Sequence, residues 1–343
     1  MRRAMRRIVD LSRDEEEHAL ELYRQSIVID CLQASVIDDE YMRKIRDSGV
    51  TCTYLGIRDL TSCAERYRLI EENPDVVLGP VTRAGDVLRA KEGGRVAVVF
   101  GSQHADFLVG PPPNLDLLPV YHRLGLRILQ PTYNERNVFA DGCGERSNGG
   151  LSRLGLELVE RMNRLRMLFD CSHLGVQDTL DGCEYSDFPV ATHSNARSLC
   201  DNVRNRTNEE IHTIAEKGGV IGVVAFPSFV KWTKMEQGER PTIEDVLDHI
   251  DYISDLVGVE HVGIGLDLIE GWPLERHRLL DRRPDIWGRP TPQGTYDYPE
   301  GLDSIDKLPN LAKGLIARGY SDREIRKILG ENWLRVFRKA WGE

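Results

Sequence analysis

The chain has 343 residues, a formal net charge of −10 and 41% hydrophobic residues. An acidic chain without clustered Lys and Arg attracts nucleic-acid phosphates only weakly, so we expect no nucleic-acid partner. We expect no membrane partner either, because no run approaches about 18 consecutive apolar residues. The basic start MRRAMRR is followed by a mostly polar stretch, which argues against a signal peptide. Seven scattered cysteines without CxxC spacing predict a cytoplasmic protein with reduced thiols.

Eight short apolar runs follow one another along the chain. They cover residues 27–33, 51–57, 95–103, 126–132, 167–173, 188–193, 219–226 and 261–268. Runs of near-continuous Val, Ile and Leu are typical of parallel strands that are buried on both faces. Helical patterns lie between runs, at 113–124, 154–165, 207–217 and 242–256. This alternation predicts an α/β fold, a (β/α)8 TIM barrel. A doubly wound open sheet is the alternative, although no Gly-rich dinucleotide fingerprint follows the first strand.

The remaining segments are expected to complete one domain that spans residues 1–343. A helix at about 14–25 precedes the first strand, and a helix at 321–340, interrupted at Gly330, is expected on the barrel exterior. The loops at 134–153 and 271–301 are long and follow the fourth and eighth strands. Loops at the carboxyl ends of barrel strands build active sites, so we predict that both form walls or lids of a pocket.

Polar side chains end several of the predicted strands. His173 ends the fifth strand and His193 the sixth. Adjacent parallel strands lie about 4.8 Å apart, so the two imidazoles can reach one divalent ion. The alternative is that each is an ordinary hydrogen-bonded histidine. Asp267 ends the eighth strand and Arg204 follows the sixth. Taken alone, Asp267 is also typical of a helix N-cap or a buried salt-bridge partner, and Arg204 of a surface charge.

The spans QPTYNERN, DGCGE, NGGLSRLG, RMNRLRMLFDCSHLG, FPVATHSNARSL, RNRTNEEI, EKGGVIGV and HVGIGLDL resemble, in the same order, the membrane (renal) dipeptidase family of zinc peptidases. The resemblance runs from about residue 26 to 337. It implies a metal-dependent, amidohydrolase-like barrel that cleaves dipeptides, often with a D-residue or dehydro-residue at the C-terminal position, and that forms a homodimer. By position, it implies that His173 and His193 bind zinc, Arg204 binds the substrate carboxylate, and Asp267 transfers the proton.

The chain also departs from the family pattern. Leu32 and Ala34 stand where the family has a His-x-Asp ligand pair, and Gln103 stands where a carboxylate bridges two zinc ions. Tyr133 stands where a histidine polarises the scissile carbonyl. Leu and Ala offer no donor atoms, so we expect one ion per chain, zinc or another divalent metal, rather than two. The set resembles a bacterial branch of the family that carries TYN and DGCxE motifs, here ending at Asn134 and Glu145.

These observations predict a metal-dependent hydrolase of dipeptides or similar small amides, in which activated water attacks the amide carbonyl. The predicted metal ligands are His173 and His193, with Gln103, Glu145 or Asp267 completing the shell. The predicted catalytic residues are Asp267 and Tyr133, and the predicted substrate-binding residues are Arg204 and Asn134. Tyr133 either stabilises the oxyanion through its hydroxyl or packs against the pocket wall. Two other functions remain open: a catalytically altered relative that binds a small carboxylate ligand, and a hydrolase of another C–N bond.

Overall fold

The computed structural model describes residues 7–343. Within this range, the strands are β1 Ile29–Gln33, β2 Cys52–Gly56, β3 Val77–Leu78, β4 Val96–Ser102, β5 Leu126–Leu129, β6 Leu168–Asp170, β7 Pro189–Val190, β8 Ile221–Val223 and β9 Val262–Ile264. Each of the eight predicted runs contains one of these strands. The short strand β3 was not predicted, and it pairs in parallel with the first residues of β4, Val96 and Ala97.

The eight main strands form a closed, parallel barrel. Their order around the sheet is β7-β6-β5-β4-β2-β1-β9-β8, and a parallel bridge between Ala191 and Ile221 joins the two ends. The backbone N–H of Gly222 donates to the carbonyl of Ala191 at this seam, at 2.8 Å. The (β/α)8 barrel prediction is therefore confirmed, and the open-sheet alternative is wrong.

Helices surround the barrel. They are α1 Arg13–Gln25, α2 Asp39–Asp47, α3 Leu60–Glu72, α4 Gly85–Glu92, α5 Leu118–Arg123, α6 Arg153–Arg164, α7 Val176–Tyr185, α8 Asn208–Glu216, α9 Pro227–Val230, α10 Trp232–Glu236, α11 Ile243–Val257, α12 Leu274–His277, α13 Pro284–Trp287, α14 Pro309–Ala317, α15 Asp322–Arg326 and α16 Asn332–Trp341. Helix α5 is shorter than predicted, because a 3-10 turn at Leu115–Leu117 precedes it. Among the described residues, no helix combines the length and apolar character needed to cross a membrane.

Strand side chains divide between two buried clusters. One cluster fills the barrel interior and its lower end, and the other lies between the strands and the helices. Interior positions on the first three main strands are Ile29, Cys31, Cys52, Tyr54, Ala97 and Val99. The alternation follows from the two-residue period of a strand, which sends successive side chains to opposite faces. All seven cysteines are free.

The lower end of the barrel is closed by the last helical segment. A π-helical turn at Lys327–Glu331 separates α15 from α16, in agreement with the interruption predicted at Gly330. Trp333 is fully buried there, and its indole N–H donates to the carbonyl of Ile264 at 3.0 Å. Asn332 of the same segment donates to the carbonyls of Val259 and Val262, so the segment also supports the amino-terminal end of β9.

Two glycines allow close approach of the chain around Thr192, the residue before His193. A Cβ on Gly265 would lie 1.8 Å from the Thr192 carbonyl oxygen, and a Cβ on Gly222 would lie 2.0 Å from it. Both distances are far below van der Waals contact, so neither position accepts a side chain without moving the backbone. The position of His193 at the barrel mouth thus depends on these two glycines.

We expect Gly265→Ala to destabilise the protein by about 1–3 kcal/mol, because the new methyl group forces the Thr192 backbone outward. Urea denaturation measures the free energy of unfolding. Gly56→Ala is the matched control, since a Cβ at this strand end meets nothing within 4 Å. Equal unfolding free energies for the two variants would contradict the close-approach argument.

Candidate active site

A cavity of about 570 Å³ opens at the carboxyl ends of the strands. Its volume suits a small-molecule ligand. Residues that follow β1, β2, β4, β5, β8 and β9 line it, together with the loop after β9; among them are Leu32, Ala34, Arg58, Gln103, Tyr133, Phe226, Asp267, Trp272, Arg276 and Trp287. The predicted loop 271–301 therefore forms a wall, as expected. The other predicted wall, 134–153, contributes no lining residue within the described chain and lies behind the cavity instead.

His173 and His193 lie side by side beneath this cavity. Their Nε2 atoms are 2.9 Å apart, and both side chains are buried. This separation meets the requirement that one ion with metal–nitrogen bonds of about 2.0–2.1 Å can contact both rings. The two strand ends thus bring the imidazoles together as predicted.

The hydrogen bonds around His193 fix which ring nitrogen carries the proton. Thr192 Oγ1 donates its only proton to Asp170 Oδ2, at 2.5 Å. The same oxygen lies 2.7 Å from His193 Nδ1, so it accepts the Nδ1–H. Nε2 of His193 is then left without a proton and presents a lone pair. Asp170 and Thr192 were not predicted, and the sequence signal for them is a polar residue at the buried end of each strand.

Asn134 does the same for His173. Its Oδ1 lies 2.7 Å from His173 Nδ1 and accepts the ring proton, while the Cys143 thiol donates to the same oxygen at 3.3 Å. Asn134 was predicted to bind substrate, but its side chain is buried behind the imidazole. The loop 134–153 folds against the His173 carbonyl through the Cys143 backbone N–H. Asn134 therefore orients a histidine instead of facing the cavity.

Both imidazoles are neutral, and their lone pairs face each other. Burial, followed by the positive charge of Arg204, holds the pKa of His173 and of His193 well below the usual value. Two unprotonated Nε2 atoms at 2.9 Å repel each other unless a cation or an N–H donor lies beside them. Anchored Nδ1 atoms with exposed Nε2 lone pairs are the arrangement that metal-binding histidines adopt.

The donor set fits one divalent ion with few ligands. No group of three or more His, Cys, Asp and Glu side chains within residues 7–343 is arranged to hold a metal, so neither Asp267 nor Glu145 completes the shell. Glu145 instead accepts the backbone N–H of Arg136 at 2.9 Å, because its loop folds back on itself. Gln103 does reach the pair, with its amide 3.3 Å from His193 Nε2, and an amide rotation would present oxygen there.

Arg204 is fully buried and lacks a carboxylate partner among residues 7–343. Its Nη2 lies 3.2 Å from His173 Nε2, its Nη1 donates to the Ser172 carbonyl, and its guanidinium carbon lies 5.1 Å from the centre of the Phe229 ring. A buried guanidinium without a carboxylate is costly, and an anionic ligand would remove that cost. The role of Arg204 as a carboxylate anchor stays a prediction, since its side chain is buried beneath the cavity and does not line it.

Asp267 lies at the inner end of the cavity in an uncommon backbone conformation. Its φ is +55°, held by a hydrogen bond from its N–H to the Leu32 carbonyl at 3.2 Å and by the Tyr298 hydroxyl on its own carbonyl. Burial raises the pKa of the Asp267 carboxyl to about 7, although Arg204 opposes this shift. A carboxyl that titrates near neutrality is suited to both accepting and returning a proton.

Tyr133 stacks on His173. The ring centres are 3.9 Å apart, with an angle of 24° between the ring planes, so the phenol ring covers the imidazole from the cavity side. Burial and the charge of Asp267 raise the pKa of Tyr133 above its usual value, so the hydroxyl stays protonated at neutral pH. The predicted packing of the ring is therefore observed, and the phenol remains a hydrogen-bond donor, whose action on an oxyanion stays a prediction.

We expect Asp267→Asn to stabilise the protein at pH 8 by up to about 4 kcal/mol, at 1.36 kcal/mol per pKa unit. The pKa is about 7 when folded and 3.8 without perturbation, so the unfolded chain ionises first. Stability is then lost as the pH rises from about 4 to about 7, and the full penalty applies above pH 7. Asparagine stays neutral, so thermal or urea unfolding would show a gain at pH 8 that vanishes near pH 4.

The control for this prediction is Asp255→Asn, at an exposed position on α11. This exposed position reports the general effect of replacing Asp with Asn, and its change in unfolding free energy is subtracted from that of Asp267→Asn at each pH. A loss of stability in Asp267→Asn at pH 8 would show that the ionised form is favoured in the fold, and would contradict the raised pKa.

The site thus consists of paired, anchored histidines at the carboxyl ends of the strands of a closed parallel barrel, the end at which such barrels build their active sites. The chain matches the membrane dipeptidase family, Peptidase family M19, over residues 57–281 and 290–341. It therefore belongs to that family, and the resemblance of its motifs is confirmed.

Curated relatives and a solved structure agree with this assignment. Dipeptidase verJ of Clonostachys rogersoniana is 30% identical over 79% of this chain and 62% of its own length. Dipeptidase tcpJ of Claviceps purpurea is 28% identical over 75% of this chain and 54% of its own length. The chain thus spans between half and two thirds of these two proteins. An amidohydrolase from Pseudomonas aeruginosa has a similar structure, with 32% identity, a TM-score of 0.85, and coverage of 95% of this chain and 99% of that one.

Proposed function

We propose that the protein hydrolyses dipeptides or similar small amides with one bound divalent cation, zinc or another divalent metal. The observation that carries this proposal is the pair of unprotonated Nε2 atoms on His173 and His193, 2.9 Å apart. Arg204 and Gln103 each place an N–H donor near one of these atoms, at 3.2 and 3.3 Å, whereas one divalent cation would bind both lone pairs at once. When bound, such an ion supplies Lewis acidity for a carbonyl oxygen and for water.

The substrate is held through its C-terminal carboxylate. Arg204 is a planar donor with no carboxylate of its own among the described residues, and it can grip a carboxylate with two parallel hydrogen bonds. That contact would bring the scissile amide above the imidazoles and beside Asp267. Binding the carboxylate also offsets the cost of burying the guanidinium.

Asp267 and Tyr133 carry the proton transfers and the charge stabilisation. Asp267 takes a proton from the water whose oxygen attacks the amide carbon, and returns it to the leaving amine as the C–N bond breaks. The Tyr133 hydroxyl donates a hydrogen bond to the oxyanion that forms on the carbonyl oxygen. The Asp267 carboxyl has a pKa of about 7 and acts as a base only after it loses its proton. We therefore expect kcat/KM to increase as the pH rises through about 7.

The cation count follows from the donor atoms. Leu32 and Ala34 have none, and Gln103 brings an uncharged amide where two closely spaced dications would need a carboxylate. The Arg204 guanidinium, 3.2 Å from His173 Nε2, opposes a second positive charge. We therefore assign one weakly held ion to the site.

A specific observation favours a second candidate function, the binding of a small carboxylate ligand without hydrolysis. Arg204 and Gln103 place N–H donors 3.2 and 3.3 Å from the two Nε2 atoms, so the lone pairs have partners even without a metal. The strand-end carboxylate Asp267 favours catalysis, since a binder of anions gains nothing from an acid in its pocket. Hydrolysis of another C–N bond, such as that of an N-acyl amine, uses the same residues.

The proposal also includes the cellular location and the binding partners of the protein. We assign it to the cytoplasm on its free cysteines and acidic composition. Its partners are a small-molecule or dipeptide substrate and a second copy of the chain in a homodimer, and neither nucleic acid nor membrane is among them.

The proposed activity predicts release of free amino acids from a panel of L,L- and L,D-dipeptides in the presence of Zn²⁺ or Mn²⁺. Elemental analysis of protein purified without chelator should find about one equivalent of metal per chain. The His173→Ala, His193→Ala double variant is the blank, with circular dichroism as the check that it folds. Because the two imidazoles are the strong donors that the proposal assigns to the metal, we expect it to hold no metal and to release no amino acid.

Two results would contradict this proposal. Two equivalents of metal in the unaltered protein would refute the single site. Absence of hydrolysis with zinc in excess, combined with calorimetric binding of the same dipeptides, would establish the binding function instead.

We expect Arg204→Lys to weaken substrate recognition by about 1–3 kcal/mol, which corresponds to roughly a 5- to 150-fold fall in kcat/KM. Lysine keeps the charge but loses the two-pronged donor geometry. The comparison substrate is the C-terminal amide of the same dipeptide. If the unaltered protein processes the blocked and free peptides equally well, the carboxylate anchor is wrong.

A further inference from the structure

The outer part of the cavity carries a cluster of three arginines, which we name the outer arginine cluster: Arg58, Arg66 and Arg276. All three line the cavity. They come from different parts of the fold, since Arg58 follows β2, Arg66 is on α3, and Arg276 is on α12 in the wall formed by the loop after β9. None of the three arginines forms a hydrogen bond that positions His173 or His193, so the cluster needs another explanation.

The cluster is held in place without carboxylate partners. The Arg66 Nε–H donates to the Gly56 carbonyl at 3.3 Å. The Arg276 guanidinium carbon lies 3.8 Å from the centre of the Trp272 ring, and the Trp272 indole N–H is fixed on the Ala34 carbonyl at 2.7 Å. Stacking on an indole orients a guanidinium and leaves its edge free for a ligand.

The three positive charges repel one another. Within residues 7–343, no Asp or Glu oxygen forms an ion pair with any of them, whereas Arg136, Arg206 and Arg318 each have such a partner. Arg58 and Arg276 both act to lower the pKa of Arg66, and Arg58 lowers that of Arg276, with burial as the main cause in each case. Glu65 also lines this region, so the local charge is three positive against one negative. An anion would relieve this imbalance.

Tyr133 connects the cluster to the inner site. Arg204 and Arg276 both act to lower the pKa of its phenol, so the hydroxyl lies within the electrostatic influence of both guanidiniums. The cavity that contains Asp267 and Gln103 at its inner end is continuous with the one that contains the cluster. One ligand can therefore extend from Asp267 and Gln103 at the inner end of this cavity to the outer arginine cluster, and the proposed contact with Arg204 lies just beneath that inner end.

We infer that the substrate carries a second anionic group on its acyl side, and that Arg58, Arg66 and Arg276 bind this group. The substrate class is then an acidic dipeptide or an N-acyl amino acid with an acidic acyl part, in which the C-terminal carboxylate goes to Arg204. This inference rests on the proposed function for the position of the scissile amide, but the anion site itself rests on the cavity and its charges. The acidic group is a carboxylate or a phosphate ester, which guanidinium binds in the same two-pronged manner.

The test compares Glu-Ala with Gln-Ala, each with L- and D-alanine, because the two peptides have the same shape and differ by one charge. We expect kcat/KM to be at least about 10-fold higher for Glu-Ala at low ionic strength, and the ratio to fall as salt is added. Phosphoserylalanine separates the two anion classes: a higher kcat/KM than that of Glu-Ala assigns the site to phosphate esters, and a lower one to carboxylates. A Glu-Ala to Gln-Ala ratio near one would overturn the inference.

Variants locate the effect. In the Arg58→Gln, Arg66→Gln, Arg276→Gln triple variant, the Glu-Ala to Gln-Ala ratio should fall to about one, and Arg276→Gln alone should lower it part of the way. Arg68→Gln and Arg278→Gln are the matched controls, since both residues are exposed neighbours of the cluster that do not line this cavity. If these controls lower the ratio as much as the triple variant does, general surface charge explains the preference and the site is wrong.

Failure of the proposed hydrolysis leaves this inference testable. Calorimetric binding of glutarate and butyrate, which differ by one carboxylate, needs no turnover. Tighter binding of glutarate that is lost in the triple variant supports the second anion site even in a protein that cleaves no peptide. Equal affinity for the two acids contradicts the site even if dipeptides are hydrolysed.

Discussion

The facing lone pairs of His173 and His193 are the constraint on which the rest of the site depends. Each Nδ1 proton has a fixed acceptor, Asn134 for one ring and Thr192 for the other, so neither ring can rotate its lone pair away. The acceptors are fixed in turn: Thr192 by Asp170 and by the glycines that let its backbone approach β8 and β9. The barrel thus determines the protonation state of two histidines through hydrogen bonds made outside the cavity.

The charge distribution of the barrel mouth follows from that arrangement. The imidazoles are neutral, Asp267 titrates near neutrality, and the buried Arg204 has no carboxylate of its own within residues 7–343. The inner end of the site therefore has an uncompensated positive charge. The outer arginine cluster gives the other end of the cavity an excess of positive charge as well. A ligand with two acidic groups complements both ends, whereas a neutral ligand would leave each guanidinium desolvated without a partner.

The sequence predicted the parts of the structure that depend on local pattern. Eight apolar runs located all eight barrel strands, and the rule that parallel strands end at one face brought His173, His193 and Asp267 together. The roles of Asn134 and Glu145 could not be predicted in the same way, because they depend on how an irregular loop folds back. Thr192 and Asp170 were missed for a related reason: their function is a hydrogen-bond relay between neighbouring strands, which no spacing along one strand reveals.

The closure of the lower end of the barrel by the last helical segment has a consequence for folding during synthesis. The first strand, β1, has its amino-terminal end against the π-helical turn, where a Cβ on Gly330 would lie 2.4 Å from the Ile27 carbonyl oxygen. The last strand, β9, is held by Asn332, which donates to the carbonyls of Val259 and Val262. Gly330 and Asn332, which make these contacts, are synthesised after all of the strands. A ribosome-bound nascent chain therefore carries all eight strands before it has the segment that seals them, and its apolar interior stays accessible to chaperones until that segment emerges.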